Sequence, residues 1–368
     1  MEADEEMGID ETSALHIISK ETSNPKLEID LSIAAEGMLM AETVHNNMGA
    51  IIILENTVLD SGTIKRLKML GIKKVKVYQK IHDVGSRDNV QHFREMYVQQ
   101  RAIVKEVFND VFSGKPLNMG KISQVSESIR NSGNADGACL KITERLQNFS
   151  ENLYSHSINV SMLSFLIAKW LKLEEARVDV LIKAGLLHDI GKTKINPAIL
   201  NKYDPLAEPA NEEVKNHPAY GCELIPDTGY VENYLAEAIL MHHEREDGSG
   251  YPSGYKSHEI NPLSKIISVA DLFDRLTSGT VSRKGLPPFD AFEVMQSESF
   301  NRYNMEIVLK FLENAPNYFI GERFFLSNDE VGEVIFINPK MVHRPLIKIE
   351  ERYIDLANDR SIRLESMI

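Results

Sequence analysis

Two stretches decide the fold, VLIKAGLLHDIGK over residues 180–192 and, further along the chain, MHHEREDGSGYPSG over 241–254. The first is an apolar helical run closed by His188-Asp189, with Gly191 predicted to terminate the helix. A carboxylate behind a buried apolar stripe costs several kcal/mol unless it is paired or bound to a metal. Neighbouring helix positions point about 100° apart, so His188 and Asp189 can serve different sides of one cluster, with Asp189 bridging two ions. Lys192 falls on the face of His188 if the turn persists, as a cation for a bound phosphate; the plain alternative is a solvated lysine. The second stretch sets His242 and His243 side by side after another apolar helix, YLAEAILM, and imidazole suits divalent transition metals. Gly248, Gly250 and Gly254 with Pro252 force a tight loop directly after the pair.

Working outward, ISVADLFDRLTS at 267–278 places Asp271 in an apolar helical frame. Asp274 can share its face, as a ligand or only as a capping or pairing group. His156 in YSHSINVS and His217 in NHPAYG carry little alone, since a single histidine is more often a satisfied core residue. Together the set offers histidine and carboxylate ligands without cysteine. That set suits iron, manganese, zinc or magnesium better than a structural zinc site, which usually includes thiolates. Two ions roughly 3.5–4 Å apart can clamp a phosphoryl oxygen and activate a bridging water. No glycine-rich nucleotide loop and no Gly-x-Ser-x-Gly elbow occurs in the sequence. The ligands point to a metallo-phosphohydrolase and leave its substrate open.

The rest of the chain bounds that reading. Its 368 residues allow about two domains, and 43% hydrophobic with 26% charged residues fit an ordinary globular class. A net charge of −13 argues against a broad footprint for duplex nucleic acid or anionic lipid. Two cysteines, Cys139 and Cys222, cannot build a disulfide framework, which fits a reducing, cytoplasmic setting. No run approaches the ~20 apolar residues of a membrane helix, and the acidic start lacks the pattern of a secretory signal.

The expected organisation is mainly α, with β-rich flanks. Residues 1–26 read as a poorly ordered acidic leader. Residues 27–80 form a small β-rich (α+β) module, with LEIDLS and IKKVKVYQ as strands and SGTIKRLKMLG as a helix. Residues 81–138 read as a helical linker, and 139–325 as the helical domain, with a long amphipathic stretch from Ile142 to Trp170. A C-terminal β-rich extension covers 326–368, with strands in VGEVIFIN, PLIKIE and RYIDLA.

His188-Asp189-Ile190-Gly191-Lys192 together with HHEREDGSGYPSG resembles the HD-GYP domain, a subgroup of the HD phosphohydrolases. HSINV at 156–160, His217-Pro218, VADLFDRLTS at 269–278 and Arg283-Lys284 agree, and the likeness spans about 139–325. The resemblance implies a helical bundle around a metal centre and hydrolysis of the bacterial messenger cyclic di-GMP to pGpG or GMP. It implies one ion on His156, His188, Asp189 and Asp271, and another on Asp189, His217, His242 and His243. Iron or manganese are the first expectations, with zinc, magnesium and nickel admitted. It also implies Lys192 and Asp189 as catalytic residues, with Lys192, Tyr251, Arg283 and Lys284 near the substrate.

Two departures from the family pattern matter. Asn152 stands where some members carry a glutamate that completes a third metal site, so two ions are expected. Thr280 and Ser282 replace an arginine and a tyrosine found in many members, leaving Arg283 as a phosphate contact. The competing expectations are a receptor that binds cyclic di-GMP without turnover and a phosphodiesterase for another cyclic nucleotide. A homodimer through the linker or the N-terminal module is a further expectation.

Overall fold

A computed structural model of the chain describes residues 26–46, 49–79, 87–132, 152–200, 212–227, 229–279 and 284–368. The expected acidic leader falls almost wholly outside these residues, as do Ile142–Glu151 and the segment carrying Thr280, Ser282 and Arg283. The chain divides into two compact units, Met1–Ile81 and His82–Ile368.

The first unit is α+β. Strand β1 (Lys26–Asp30) pairs antiparallel with β4 (Lys74–Tyr78), and β2 (Val44–His45) pairs with β3 (Ile51–Ile53). Alternation puts Ile29, Val75 and Val77 on the inner face, where they meet Leu31, Met40, Leu59 and Leu67 in a buried core. Leu67 comes from helix α1 (Ser61–Met69), whose Asp60 cap accepts the Thr63 N–H at 2.6 Å.

The second unit is built on helices. α2 (Arg87–Phe112) and α3 (Met119–Asn131) occupy the stretch expected to link the modules. They insert Phe93, Tyr97, Val104, Phe108, Ile122 and Ile129 into the same core as α4 (Asn152–Trp170) and α5 (Glu175–Leu187). Helix α4 corrects the expected amphipathic stretch: over its described part, every residue from Ser157 to Ala168 is buried. A helix enclosed by neighbours needs no polar face, and Ser161 Oγ turns inward to donate to Ile182 O at 2.8 Å. Then follow α6 (His217–Glu223), α7 (Tyr230–Leu240), α8 (Pro262–Thr277), α9 (Pro288–Glu298) and α10 (Met305–Asn314). Asn261 starts α8 by accepting the Leu263 N–H at 2.9 Å, and Pro262 sits where a missing N–H costs nothing.

The C-terminal extension is a five-stranded antiparallel sheet in the order β8-β7-β6-β5-β9. β6 (Val331–Phe336), β7 (Leu346–Ile349) and β8 (Arg352–Asp355) fall where alternation puts them. β5 (Arg323–Leu326) and β9 (Leu364–Met367) were not expected, β5 lying at the end of the section read as helical. Phe324 of β5 stacks edge-on against Phe289 of α9 at 5.6 Å, anchoring the sheet to the helices.

Candidate metal centre

Helix α5 stops at Leu187, and His188 is its last residue in helical conformation. Asp189 opens a tight 3-10 turn, Ile190–Lys194, so the α-helix does not persist to Lys192. Lys192 instead turns back and pairs with Asp189 Oδ2 at 2.5 Å. Gly191 is not a left-handed helix terminator, since it is absent from the positive-φ glycines among the described residues. Its role is close approach: a Cβ there would lie 2.0 Å from His217 O and 2.5 Å from Gly221 N. The missing side chain lets the turn after Asp189 press against α6, which brings His217 Nε2 to 3.1 Å from Asp189 Oδ1.

The imidazole tautomers follow from their partners. A carbonyl can only accept, so Nδ1–H is the donor in three rings: His188 to Gly185 O at 2.8 Å, His217 to Val214 O at 2.6 Å and His242 to Ile239 O at 2.6 Å. In each neutral ring the Nε2 lone pair is therefore left facing inward. His217 Nε2 and His242 Nε2 sit 3.3 Å apart. His188 Nε2 lies 3.1 Å from His156 Nε2. Lone pairs of neutral imidazoles buried as close as those of His217 and His242 repel unless a cation lies among them, so the donor set fits a divalent ion.

Two groups of ligand atoms result, each within 4.8 Å: Asp189, His217, His242 and His243 form one, and His156, His188 and Asp189 the other. Asp189 belongs to both. Asp271 stands beside the second group, with Oδ1 3.3 Å from His156 Nε2 and Oδ2 paired with Arg275 Nη2 at 2.8 Å. Asp274 shares the face of Asp271, but as an orienting group: its Oδ2 accepts from His156 Nδ1 at 2.7 Å. The structure thus brings together all seven residues expected as metal ligands.

Burial and charge set the protonation states. Burial lowers His188 to about 4, and it also holds His242 and His243 well below the ordinary imidazole range. His156 is the exception: burial lowers it, but the carboxylates of Asp271 and Asp274 outweigh this and push it up to about 10. Burial raises Asp189, yet Lys192, His188 and His217 overcome it and hold the carboxyl well below its usual range. Asp271 is lowered in the same way by Arg275 and His156 against the opposing effect of burial. The centre is therefore ionised carboxylate facing mostly neutral imidazole, the state in which these groups bind metal.

The loop after the histidine pair is held by groups the sequence did not single out. Glu244, buried, accepts the Ser253 N–H at 2.7 Å and the Tyr255 N–H at 3.0 Å. Gly250 passes so close to the pair that a Cβ would meet His243 O at 2.5 Å and Arg245 N at 2.4 Å. This lays the Tyr251 ring 4.7 Å from that of His243. Lys284 is exposed, and Arg283 lies outside the described residues. Asn159 and Arg275 were also missed as parts of the centre, whereas Asp274 had a spacing signal, three residues after Asp271.

Residues 141–307 match the family model described as an HD domain. The chain is 28% identical over 266 residues to a cyclic di-GMP phosphodiesterase of Pseudomonas aeruginosa, covering 72% of this chain and 64% of that protein. It is 36% identical to the 3'3'-cGAMP-specific phosphodiesterase 3 of Vibrio cholerae, over 38% of this chain and 30% of that one. A cyclic di-GMP phosphodiesterase of Thermotoga maritima is 35% identical, over 47% of this chain and 48% of its own length. The chain thus spans less than two thirds of each of these relatives. Fold, buried His/Asp cluster and family match together define an HD domain. The His242-His243 pair and the Gly250-Tyr251-Pro252 loop lie within the matched residues, and the chain is similar there to cyclic di-GMP phosphodiesterases.

Proposed function

We propose that this protein is a metal-dependent phosphodiesterase that hydrolyses cyclic di-GMP to pGpG, GMP or both. The observation that carries the reading is the convergence of inward-facing imidazole lone pairs on Asp189, which joins both ligand groups. His156, His188, Asp189 and Asp271 would hold one ion, and Asp189, His217, His242 and His243 the other. Iron or manganese suits these donors first, with zinc, magnesium or nickel also compatible. When bound, such ions supply Lewis acidity toward a phosphoryl oxygen and activate water at neutral pH.

The chain's own residues contribute the rest. Backbone carbonyls fix the rings of His188, His217 and His242, so the ligands need no reorganisation. Lys192, whose side chain is 15% exposed, lies beside Asp189 at the edge of the buried cluster. There it passes from Asp189 to the scissile phosphate as substrate enters. Tyr251, held beside His243 by the loop, packs against the substrate, and Arg283 and Lys284 are assigned to its phosphates. No helix among the described residues is long and apolar enough to cross a membrane, and the reaction is assigned to the reducing cytoplasm.

A second reading, a phosphodiesterase for a mixed cyclic dinucleotide, is favoured by the name of the Vibrio cholerae relative. Anaerobically purified protein loaded with iron or manganese is given cyclic di-GMP and 3'3'-cGAMP in parallel, and the products are resolved by chromatography. Faster consumption of cyclic di-GMP supports the first reading and faster consumption of cGAMP the second. Binding without product from either would make the protein a receptor. His188→Ala and Asp189→Ala should lose metal and turnover together, and undiminished hydrolysis in either variant refutes the assignment.

A further inference from the structure

Behind His156 runs a buried polar chain that leads away from the metal ligands to α2. Tyr97 donates its hydroxyl to Asn159 Oδ1 at 2.9 Å. Asn159 Nδ2 donates to Asp274 Oδ1 at 2.8 Å, and Asp274 Oδ2 accepts from His156 Nδ1 at 2.7 Å. Tyr97, Asn159 and Asp274 are 3%, 5% and 0% exposed, so bulk water cannot replace a lost partner.

The direction of the chain is set by chemistry. The Asp274 oxygen accepts from the amide, so Asn159 turns its NH2 toward Asp274. Its carbonyl is then left toward α2, where the Tyr97 hydroxyl meets it. An inverted Asn159 would set oxygen against carboxylate, and the Tyr97 donor favours the working orientation. Held at both oxygens, Asp274 fixes the ring plane and tautomer of His156. A partner of this kind is what a metal-binding histidine needs on its far nitrogen.

We infer that Tyr97 and Asn159 are positioning residues for the metal centre, acting through Asp274 to aim His156 Nε2 at the group it forms with His188 and Asp189. Helix α2 is then a support of the centre as well as part of the core. The inference rests on the metal-centre reading proposed above, and its test separates the two.

Chelator-stripped full-length protein is titrated with Mn(II), free ion being followed by electron paramagnetic resonance. Wild-type protein should show two binding constants. Tyr97→Phe, which removes only the hydroxyl, should weaken one of them about 10-fold and Asn159→Ala up to about 100-fold, the other constant holding. Val104→Ala, a cavity in the same helix away from the polar chain, should lower the thermal midpoint and leave both constants unchanged. If Tyr97→Phe does not fold, Asn159→Ala carries the test alone. Wild-type constants in both polar variants, or equal weakening in Val104→Ala, would overturn the inference. Wild-type protein that takes up no Mn(II) would overturn the centre itself, a result distinct from normal binding with unaffected variants.

Discussion

Substituting Gly191 by alanine tests whether close approach of the 190–194 turn to α6 assembles the centre. The new Cβ would lie 2.0 Å from His217 O and 2.5 Å from Gly221 N, both backbone atoms with no rotamer to yield. Ordinary contact needs roughly 3.5 Å, so the two segments must part by about 1.5 Å. Overpacking of this kind costs about 1–3 kcal/mol of stability. The larger consequence is local. His217 Nε2 stands 3.1 Å from Asp189 Oδ1, and metal–ligand distances tolerate only about ±0.2 Å. Gly191→Ala should therefore remain folded, lose the ion bounded by His217, His242 and His243, and keep the ion on His156 and His188. A misplacement of about 1 Å can cost 10²-fold in rate, and turnover should fall at least that far. The assay is elemental analysis of metal per chain beside a cyclic di-GMP turnover measurement and a melting curve. Wild-type metal content and turnover in this variant would refute the reasoning.

Other outcomes follow from the same geometry. Stripping metal should lower the melting temperature, because ions held only by the folded state stabilise it by about 2.7 kcal/mol at 100 times Kd; an unchanged melting curve after verified metal removal would contradict a resident ion. Glu244→Gln leaves one oxygen for two backbone donors, at a cost of about 1–3 kcal/mol, and should raise KM with metal content intact as the Tyr251 loop loosens. Unchanged KM would show that the loop does not meet substrate. Asp179 is raised by burial, but its 2.7 Å pair with Lys183 and the Ser126 hydroxyl at 2.8 Å prevail and lower it. A folded value below the unfolded one gives stability that is present above about pH 4 and lost as pH falls through the folded value. Denaturation of wild type and Asp179→Asn should therefore converge on acidification; a constant gap between them would exclude the linkage.

Most of the residues proposed as metal ligands stood out by the company they keep in the sequence, His156 and His217 excepted. His188-Asp189 closes an apolar run, His242-His243 precedes a glycine-rich loop, and Asp271 shares an apolar helical frame with Asp274. The tertiary partners of these residues were not legible. The pairing of Lys192 with Asp189 depends on the α-helix giving way to a 3-10 turn at Ile190, which helical spacing does not report. The role of Gly191 depends on α6, brought against it from beyond residue 216. Asp274 could be placed on the face of Asp271, but its attachment to His156 and Asn159 is a contact between helices remote in sequence. Helix α4 was misread as amphipathic because its serines resemble a solvent face, whereas Ser161 is satisfied by a carbonyl of α5. β5 and β9 are four residues each, too short for alternation to stand out, and β5 is fixed by the Phe324 contact with α9. Local pattern gave the chemistry of each ligand, and packing gave its partner.

The most direct test is X-ray diffraction at the absorption edge of the resident metal, on crystals of anaerobically purified protein. Two anomalous peaks are predicted, one among His156, His188, Asp189 and Asp271, the other among Asp189, His217, His242 and His243. No peak, or a single ion without contact to Asp189, would contradict the account; a third strong peak beside Asn152 would contradict its count of two.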